Sequence, residues 1–89
     1  MKTDVFDSYA YLANGKVMHF DVLVPSGTAK EKALAYAEAF LASVGVASVT
    51  LQSMRCNFCH SEMAHDNVVD SINNAGHFIL QMEGCPNPY

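Results

Sequence analysis

Three cysteines carry the clearest capacity for chemistry in this sequence. Cys56 and Cys59 are separated by two residues in the run Cys56-Asn57-Phe58-Cys59-His60, and Cys85 lies near the C-terminus. A turn between two such cysteines directs both sulfurs at one point, which suits either a zinc knuckle or a redox dithiol. With Cys85 as a third ligand, the pattern indicates zinc as a candidate cofactor.

A closed zinc site needs a fourth ligand, and three histidines are candidates for it. His65 is preferred because it lies in the loop before the second predicted helix, where no strand or helix fixes its direction. His60 directly follows a cysteine, and adjacent residues of an extended chain point apart. His19 takes part only if the N-terminal hairpin reaches the cysteines. The expected metal ligands are therefore Cys56, Cys59, Cys85 and His65, with His60 as the alternative.

Three other interpretations of the cysteines remain open. Free cysteine packs like a small hydrophobic residue, so all three thiols are equally consistent with reduced, packed side chains. Cys56 and Cys59 also have the spacing of a redox pair, although no thioredoxin-like order of elements precedes them. The run ending in His60 matches the c-type haem attachment motif. Haem is not expected, because no export signal precedes the motif and the strand-rich pattern leaves no helical haem pocket.

The elements that must position these residues begin with a β-hairpin. Residues 5–12 and 17–24 alternate in polarity, and Asn14-Gly15 between them supplies the two positive-φ residues of a type I′ turn. A two-residue loop places Tyr9 opposite Phe20. One face then carries Val5, Tyr9, Tyr11, Met18, Phe20, Val22 and Val24, and we expect this face to be the core.

The other face of the hairpin is mixed in polarity, and it is expected to face either solvent or a partner, which would be another protein or a second copy. It holds Phe6, Ser8, Ala10, Leu12, Val17, His19, Asp21 and Leu23. Clustered apolar residues on such a face are typical of a contact surface. His19 and Asp21 are close enough to contact each other, but such a pair on an exposed strand is usually only hydrated by solvent and has no further role. Asp7 falls on the core face, where a carboxylate is hydrogen-bonded or marks a pocket.

Two helices and two further strands follow the hairpin. A capping box at residues 28–31 opens the first predicted helix, and Gly45 closes it. Residues 46–54 alternate and are rich in β-branched side chains, so they are predicted to form the third strand. The second predicted helix lies between residues 66 and 76. The fourth strand is predicted over residues 78–82.

This order of elements predicts an α+β fold. A β-hairpin followed by α-β-α-β is expected to form one four-stranded mixed sheet with two helices on one face. The chain between the third and fourth strands is long enough for a right-handed crossover, so these strands are expected to be parallel. Cys85 would then lie within ~5–10 Å of Cys56 or Cys59, at one edge of the sheet.

Length and composition limit the number of domains and the classes of partner. A single domain is expected over residues 1–89, with residues 1–4 and 86–89 as terminal extensions. A net charge of −4 with five Lys and Arg residues argues against nucleic-acid binding. No stretch reads as a membrane span or a signal peptide, so a cytoplasmic location with reduced thiols is expected. No catalytic constellation can be assembled, which favours a non-catalytic domain over an enzyme.

Four segments carry a family resemblance. They are Val5-Phe6-Asp7-Ser8-Tyr9, Gly15-Lys16-Val17-Met18-His19-Phe20-Asp21-Val22, Cys56-Asn57-Phe58-Cys59-His60-Ser61 and Met82-Glu83-Gly84-Cys85. In these segments the chain resembles the small bacterial family DUF2024, a domain of unknown function. The likeness spans nearly the whole chain. It implies the family's α+β fold, and it carries over no established activity.

Overall fold

Four strands and two helices follow one another in the order that the sequence predicts. The computed structural model describes residues 1–46 and 51–85. The elements are β1 (Lys2–Leu12), β2 (Val17–Pro25), α1 (Lys30–Ser43), β3 (Leu51–Met63), α2 (Asp66–Ala75) and β4 (Phe78–Gln81). Residues 2–4, expected to form an extension, belong to β1. The predicted extension 86–89 lies outside the described residues, as do residues 47–50 of the predicted third strand.

The turn between β1 and β2 contains one residue more than the sequence predicts. The Gly15 amide donates to the Leu12 carbonyl at 3.0 Å, and the Leu12 amide donates to the Lys16 carbonyl at 2.9 Å. Gly15 has a φ of 88°, and the Asn14 side chain accepts a hydrogen bond from the Lys16 amide at 3.0 Å. This is the three-residue hairpin loop in which a left-handed glycine follows a tight turn. The predicted two-residue turn was wrong, because Asn-Gly suits both loops.

The longer turn shifts the pairing of β1 and β2 by one residue. Tyr9 pairs with His19, and Ala10 pairs with Met18. Because successive strand residues point to opposite faces, a shift of one residue exchanges the faces of one strand relative to the other. The predicted core face was therefore right for β2. On β1, Val5 is buried as predicted, but Tyr9 and Tyr11 are only half-buried. Phe6, Ser8, Ala10, Met18, Phe20 and Val22 share one face, and Val5, Asp7, Tyr9, His19, Asp21 and Leu23 share the other.

All strand pairs in the sheet are antiparallel. The strand order is β3-β1-β2-β4, with β3 paired to β1 and β4 paired to β2. The predicted mixed sheet with parallel third and fourth strands was wrong. After β3 the chain does not return beside that strand, because α2 crosses a face of the sheet and brings β4 to the opposite edge. The hairpin strands therefore separate β3 from β4.

The two helices pack on opposite faces of the sheet. Buried residues of α1 meet the face that holds Phe20, and the rings of Phe20 and Phe40 lie 4.8 Å apart. Val68 and Ile72 of α2 meet the face that holds Val5. The expectation of both helices on one face was wrong, because the one-residue shift makes both faces of the hairpin partly apolar. We call these surfaces the α1 face and the α2 face.

The helix ends follow the predicted sequence signals in part. Gly76 ends α2 in a left-handed conformation with a φ of 87°, as predicted. The capping box at the start of α1 does not form, because the Thr28 hydroxyl donates to the Pro25 carbonyl at 2.6 Å. The residue that precedes α1, Ala29, makes no side-chain cap. None of the helices within residues 1–46 and 51–85 is long and apolar enough to cross a membrane.

One buried carboxylate joins three segments at the end of the sheet near Pro25. Asp4 accepts hydrogen bonds from the Ser26 hydroxyl at 3.0 Å, the Gly27 amide at 3.0 Å and the Ser61 hydroxyl at 2.7 Å. The Gly27 amide contributes most to lowering the pKa of Asp4 below its ordinary value. Asp4 therefore links β1, the loop before α1 and β3 through its charged form.

Candidate functional site

The two cysteines of the Cys-x-x-Cys run lie within β3, although the sequence placed them in a loop after the third strand. Cys56 is buried on the α1 face, opposite Ser8. Cys59 is exposed at a β-bulge, where the pairing with β1 passes from Phe58 directly to His60. Because one thiol is buried and the other faces solvent, this segment does not form the turn that a zinc knuckle requires.

The third cysteine lies at the opposite edge of the sheet from the other two. Cys85 is buried beyond β4, and its thiol donates to the His19 carbonyl at 3.4 Å. The segment before it continues along β2, because the His19 amide donates to the Glu83 carbonyl at 2.8 Å. Three inter-strand spacings, about 14 Å, therefore separate this segment from β3. The parallel-strand argument for bringing Cys85 to the Cys-x-x-Cys run fails with the sheet order.

Of the three histidines considered as zinc ligands, His65 and His60 lie apart from Cys85, and His19 contacts it only through its backbone carbonyl within the described residues. His65 is exposed and precedes α2, at the rim of an apolar groove of about 250 Å³ that Leu23 and Phe78 also line. His60 is exposed in β3, with Nδ1 3.3 Å from the Cys59 sulfur and Nε2 3.5 Å from a Glu62 carboxylate oxygen. Within the described part of the chain, no group of three close metal-ligand atoms includes a cysteine.

One group of potential ligands does come together, and the sequence interpretation missed it. Asp7, His19 and Asp21 each offer a ligand atom, and these atoms lie within 4.8 Å of one another. His19 Nε2 is 2.6 Å from Asp7 Oδ1. All three side chains are partly buried on the α2 face. This group is the strongest candidate site among the described residues.

The two central strands hold these side chains in place. Asp7 of β1 lies directly opposite Asp21 of β2, and His19 precedes Asp21 by two residues on the same face. The His-x-Asp spacing was visible in the sequence, but the predicted turn placed Asp7 on the opposite face. With the observed register, all three residues share one face, so the missing signal was the length of the turn.

Two carboxylates in direct cross-strand pairing repel each other. The pKa of Asp21 is raised to about 6 by its partial burial, and next by its hydrogen bond and repulsive contact with Asp7. The nearby His19 and His60 act in the opposite direction on this pKa. Near neutral pH the pair therefore retains a share of one proton or attracts a cation.

An aromatic stack fixes the imidazole of this group. The ring of Tyr9 lies 4.3 Å from that of His19 with an interplanar angle of 5°, and Tyr11 stacks on Tyr9 at 6.3 Å. The negative charge of Asp7 is the largest cause of a raised pKa at Tyr9. The stack restricts rotation of the imidazole, so Nε2 stays directed at the carboxylates.

Helix α2 leaves the group accessible. Its buried residues cover Val5 and Leu23, which lie on the same face two residues along the strands from Asp7 and Asp21. On the other side, the neighbouring β3 residues Arg55 and Asn57 are exposed. The three ligand side chains therefore border solvent, as an exchangeable ion requires.

Comparison with known proteins identifies the family and adds no activity. The family model described as Domain of unknown function (DUF2024) matches residues 1–82. No match was found among the curated proteins. The NMR structure of protein NE1680 from Nitrosomonas europaea is similar, with 42% sequence identity, a TM-score of 0.80, and coverage of 96% of this chain and 99% of that one. The chain therefore belongs to the DUF2024 family, as its sequence resemblance indicated.

Proposed function

We propose that this domain is a non-catalytic metal-binding module in which Asp7, His19 and Asp21 hold a divalent transition-metal ion. The observation that carries this proposal is the direct pairing of two carboxylates beside an imidazole, with one ligand atom from each residue within 4.8 Å. A like-charged cross-strand pair destabilises a sheet, and a bound cation turns that repulsion into attraction.

The donor set indicates the class of metal. Imidazole nitrogen suits zinc, iron, cobalt and nickel, whereas calcium and magnesium prefer sites made of oxygen alone. One imidazole and two carboxylates therefore favour Zn²⁺ or a related first-row ion. Three protein ligands leave at least one position of a tetrahedral ion to water or to a ligand from solution.

Metal titration of ligand variants tests the proposal. Calorimetry of chelator-treated protein with Zn²⁺ should give one site, and Asp21→Asn or His19→Ala should weaken binding at least about tenfold, since even outer-shell changes cost that much. Asp70→Asn and Glu38→Gln are the controls, because both residues are exposed and lie outside the group. Equal affinity in the ligand variants and the controls would overturn the proposal.

The thiolate zinc site remains an alternative proposal that rests on residue types. Serine variants of Cys56, Cys59 and Cys85, together with His65→Ala, test it in the same titration. Loss of the zinc site in the cysteine variants but not in Asp21→Asn would favour the thiolate ligands. Such a site also needs the thiols to stay reduced, which agrees with the cytoplasmic location expected from the sequence.

A redox role is the second candidate, and one contact favours it. Cys59 is exposed, and its sulfur lies 3.3 Å from His60 Nδ1, where the imidazole can accept a hydrogen bond from the thiol. Cys56 is buried, so a peroxide oxidant, which takes two electrons from the Cys59 sulfur, transfers one oxygen atom to it and leaves as water or an alcohol, would give a sulfenate at Cys59 rather than a disulfide between the two. Alkylation of Cys59 that slows in His60→Ala would support this role, and an unchanged alkylation rate would exclude the contact.

A further inference from the structure

The outer edge of β3 is a long row of backbone groups that pair with no other strand within residues 1–46 and 51–85. β3 has 13 residues, and in that part of the chain its ladder partner is β1. Stable proteins usually protect such an edge with proline, with lysine or with a covering segment. Residues 51–63 contain neither proline nor lysine, and all of them except Leu51, Met54 and Cys56 are exposed. The bulge at Cys59, the charges of Arg55 and Glu62, and the Lys30 side chain, which donates to Asn57 Oδ1 at 3.4 Å, protect this edge in part.

Apolar side chains are exposed along the same strand. Met63 and Phe58 are 66% and 56% exposed, the highest values among the large hydrophobic residues of the described chain. Phe58 is opposite Phe6 and Met63 is opposite Lys2, so both lie on the α1 face of β3. A surface that combines a free strand edge with exposed apolar side chains is typical of strand addition.

We propose that β3 pairs in antiparallel fashion with β3 of a second copy, joining two four-stranded sheets into one of eight strands. The two-fold axis would pass between Phe58 and Cys59. This places Arg55 opposite Glu62 of the second copy, and Met54 opposite Met63 of the second copy. Such an interface is isologous, so each of these pairs occurs twice.

The bulge makes this register consistent on both halves of the strand. Arg55 and Glu62 are opposite Tyr9 and Thr3 of β1, so both point to the α2 face. Met54 and Met63 both point to the α1 face, because their β1 partners are Ala10 and Lys2. Without the extra residue at Cys59, the two halves would present opposite faces to each other. The charges are complementary and the apolar residues meet, which identifies a second copy as the partner.

Charge reversal and rescue test this proposal. Sedimentation equilibrium of the reduced wild-type chain should show a dimer, and Arg55→Glu or Glu62→Arg should raise the dimer dissociation constant about tenfold or more, because each change creates two like-charged pairs. The double variant Arg55→Glu with Glu62→Arg should restore dimer formation. Glu38→Arg is the control, since Glu38 is exposed on α1.

Oxidative cross-linking gives a second measurement. The two Cys59 residues would be diagonally opposite each other across the axis, offset by one residue along the strands. Their α-carbons would then lie within the ~4.4–6.8 Å that a disulfide spans. Diamide, which accepts the two electrons and two protons of the thiols, should cross-link the wild type and Cys56→Ser but not Cys59→Ser. A monomer at concentrations up to about 1 mM, or a double variant as weak as either single variant, would overturn the proposal.

Discussion

At the scale of single residues, the carboxylates of this domain divide into two kinds with opposite effects. Asp4 accepts three hydrogen bonds, and its pKa is lowered. Asp21 lies opposite another carboxylate, and its pKa is raised to about 6. The first arrangement stabilises the folded chain in its ionised form, and the second destabilises it unless a counter-ion is bound.

Asp4→Asn should lower the free energy of unfolding at neutral pH by about 1.5–3 kcal/mol, as expected for hydrogen bonds to a charged group. Because the folded pKa of Asp4 is lowered, its stabilisation is present above the unfolded pKa of ~3.9 and is lost as pH falls through the folded value. Urea denaturation at pH 7 and at pH 3 measures this, with Asp70→Asn as control. A difference between wild type and variant that persists unchanged at pH 3 would contradict the assignment.

Asp21→Asn should have the opposite signature in metal-free protein. The raised pKa of Asp21 means that its protonated form stabilises the fold fully below pH ~3.9 and that this contribution is lost as pH rises through about 6. The wild type should therefore lose stability relative to the variant between about pH 4 and pH 7. Urea midpoints measured across this range with a chelator present check the prediction. Parallel curves for the two proteins would show that the aspartates do not interact.

At the scale of elements, one turn determines which side chains can meet. The Cβ of an alanine at position 15 would have no neighbour within 4 Å, so steric exclusion is not the constraint. The constraint is the positive φ of 88°, which costs a residue with a side chain about 1–2 kcal/mol.

Gly15→Ala should therefore lower the free energy of unfolding by about 1–2 kcal/mol, measured by chemical denaturation. Lys16→Ala is the control, because Lys16 is exposed in the same turn. If the glycine variant is as stable as this control, Gly15 does not need a positive φ and the three-residue turn is wrong.

Much of the element order could be predicted from local signals, whereas pairing could not. Gly45 and Gly76 marked the helix ends correctly, since a left-handed residue is a local requirement. The Asn14-Gly15 turn was located correctly, but its sequence is compatible with two loop lengths. Loop length sets the register, and the register placed Asp7 beside His19 and Asp21. The candidate site could therefore not be predicted, because the predicted hairpin loop was one residue too short.

The relative positions of the cysteines also depend on strand pairing, here between residues far apart in the sequence. The Cys-x-x-Cys spacing was interpreted as a turn, but an edge strand with a bulge at Cys59 accommodates the same spacing. The position of Cys85 depended on crossover handedness, which applies only if the third and fourth strands are parallel. Tertiary packing determines which edge of the hairpin β3 and β4 join, because α1 and α2 pack on opposite faces of the sheet.

At the scale of the whole molecule, the sheet has two kinds of free surface. Helix α2 covers the end of its face near Val5 and Leu23 and leaves the aspartate–histidine group accessible. The outer edge of β3 pairs with no other strand of the described chain. The metal ligands lie on β1 and β2, and Arg55 of β3 borders them. Glu62→Arg, opposite Thr3 of β1, therefore tests self-association without changing a neighbour of the aspartate–histidine group.

The location of a bound paramagnetic ion distinguishes the aspartate–histidine group from the cysteine run as the metal site. Co²⁺ accepts imidazole, carboxylate and thiolate ligands, so it does not favour one candidate site over the other. In NMR spectra of the chelator-treated protein, substoichiometric Co²⁺ should first broaden or shift the signals of Asp7, His19 and Asp21, and Asp21→Asn should abolish the effect. Perturbation centred on Cys59 and His60, or no selective perturbation of any residue, would contradict metal binding by the aspartate–histidine group.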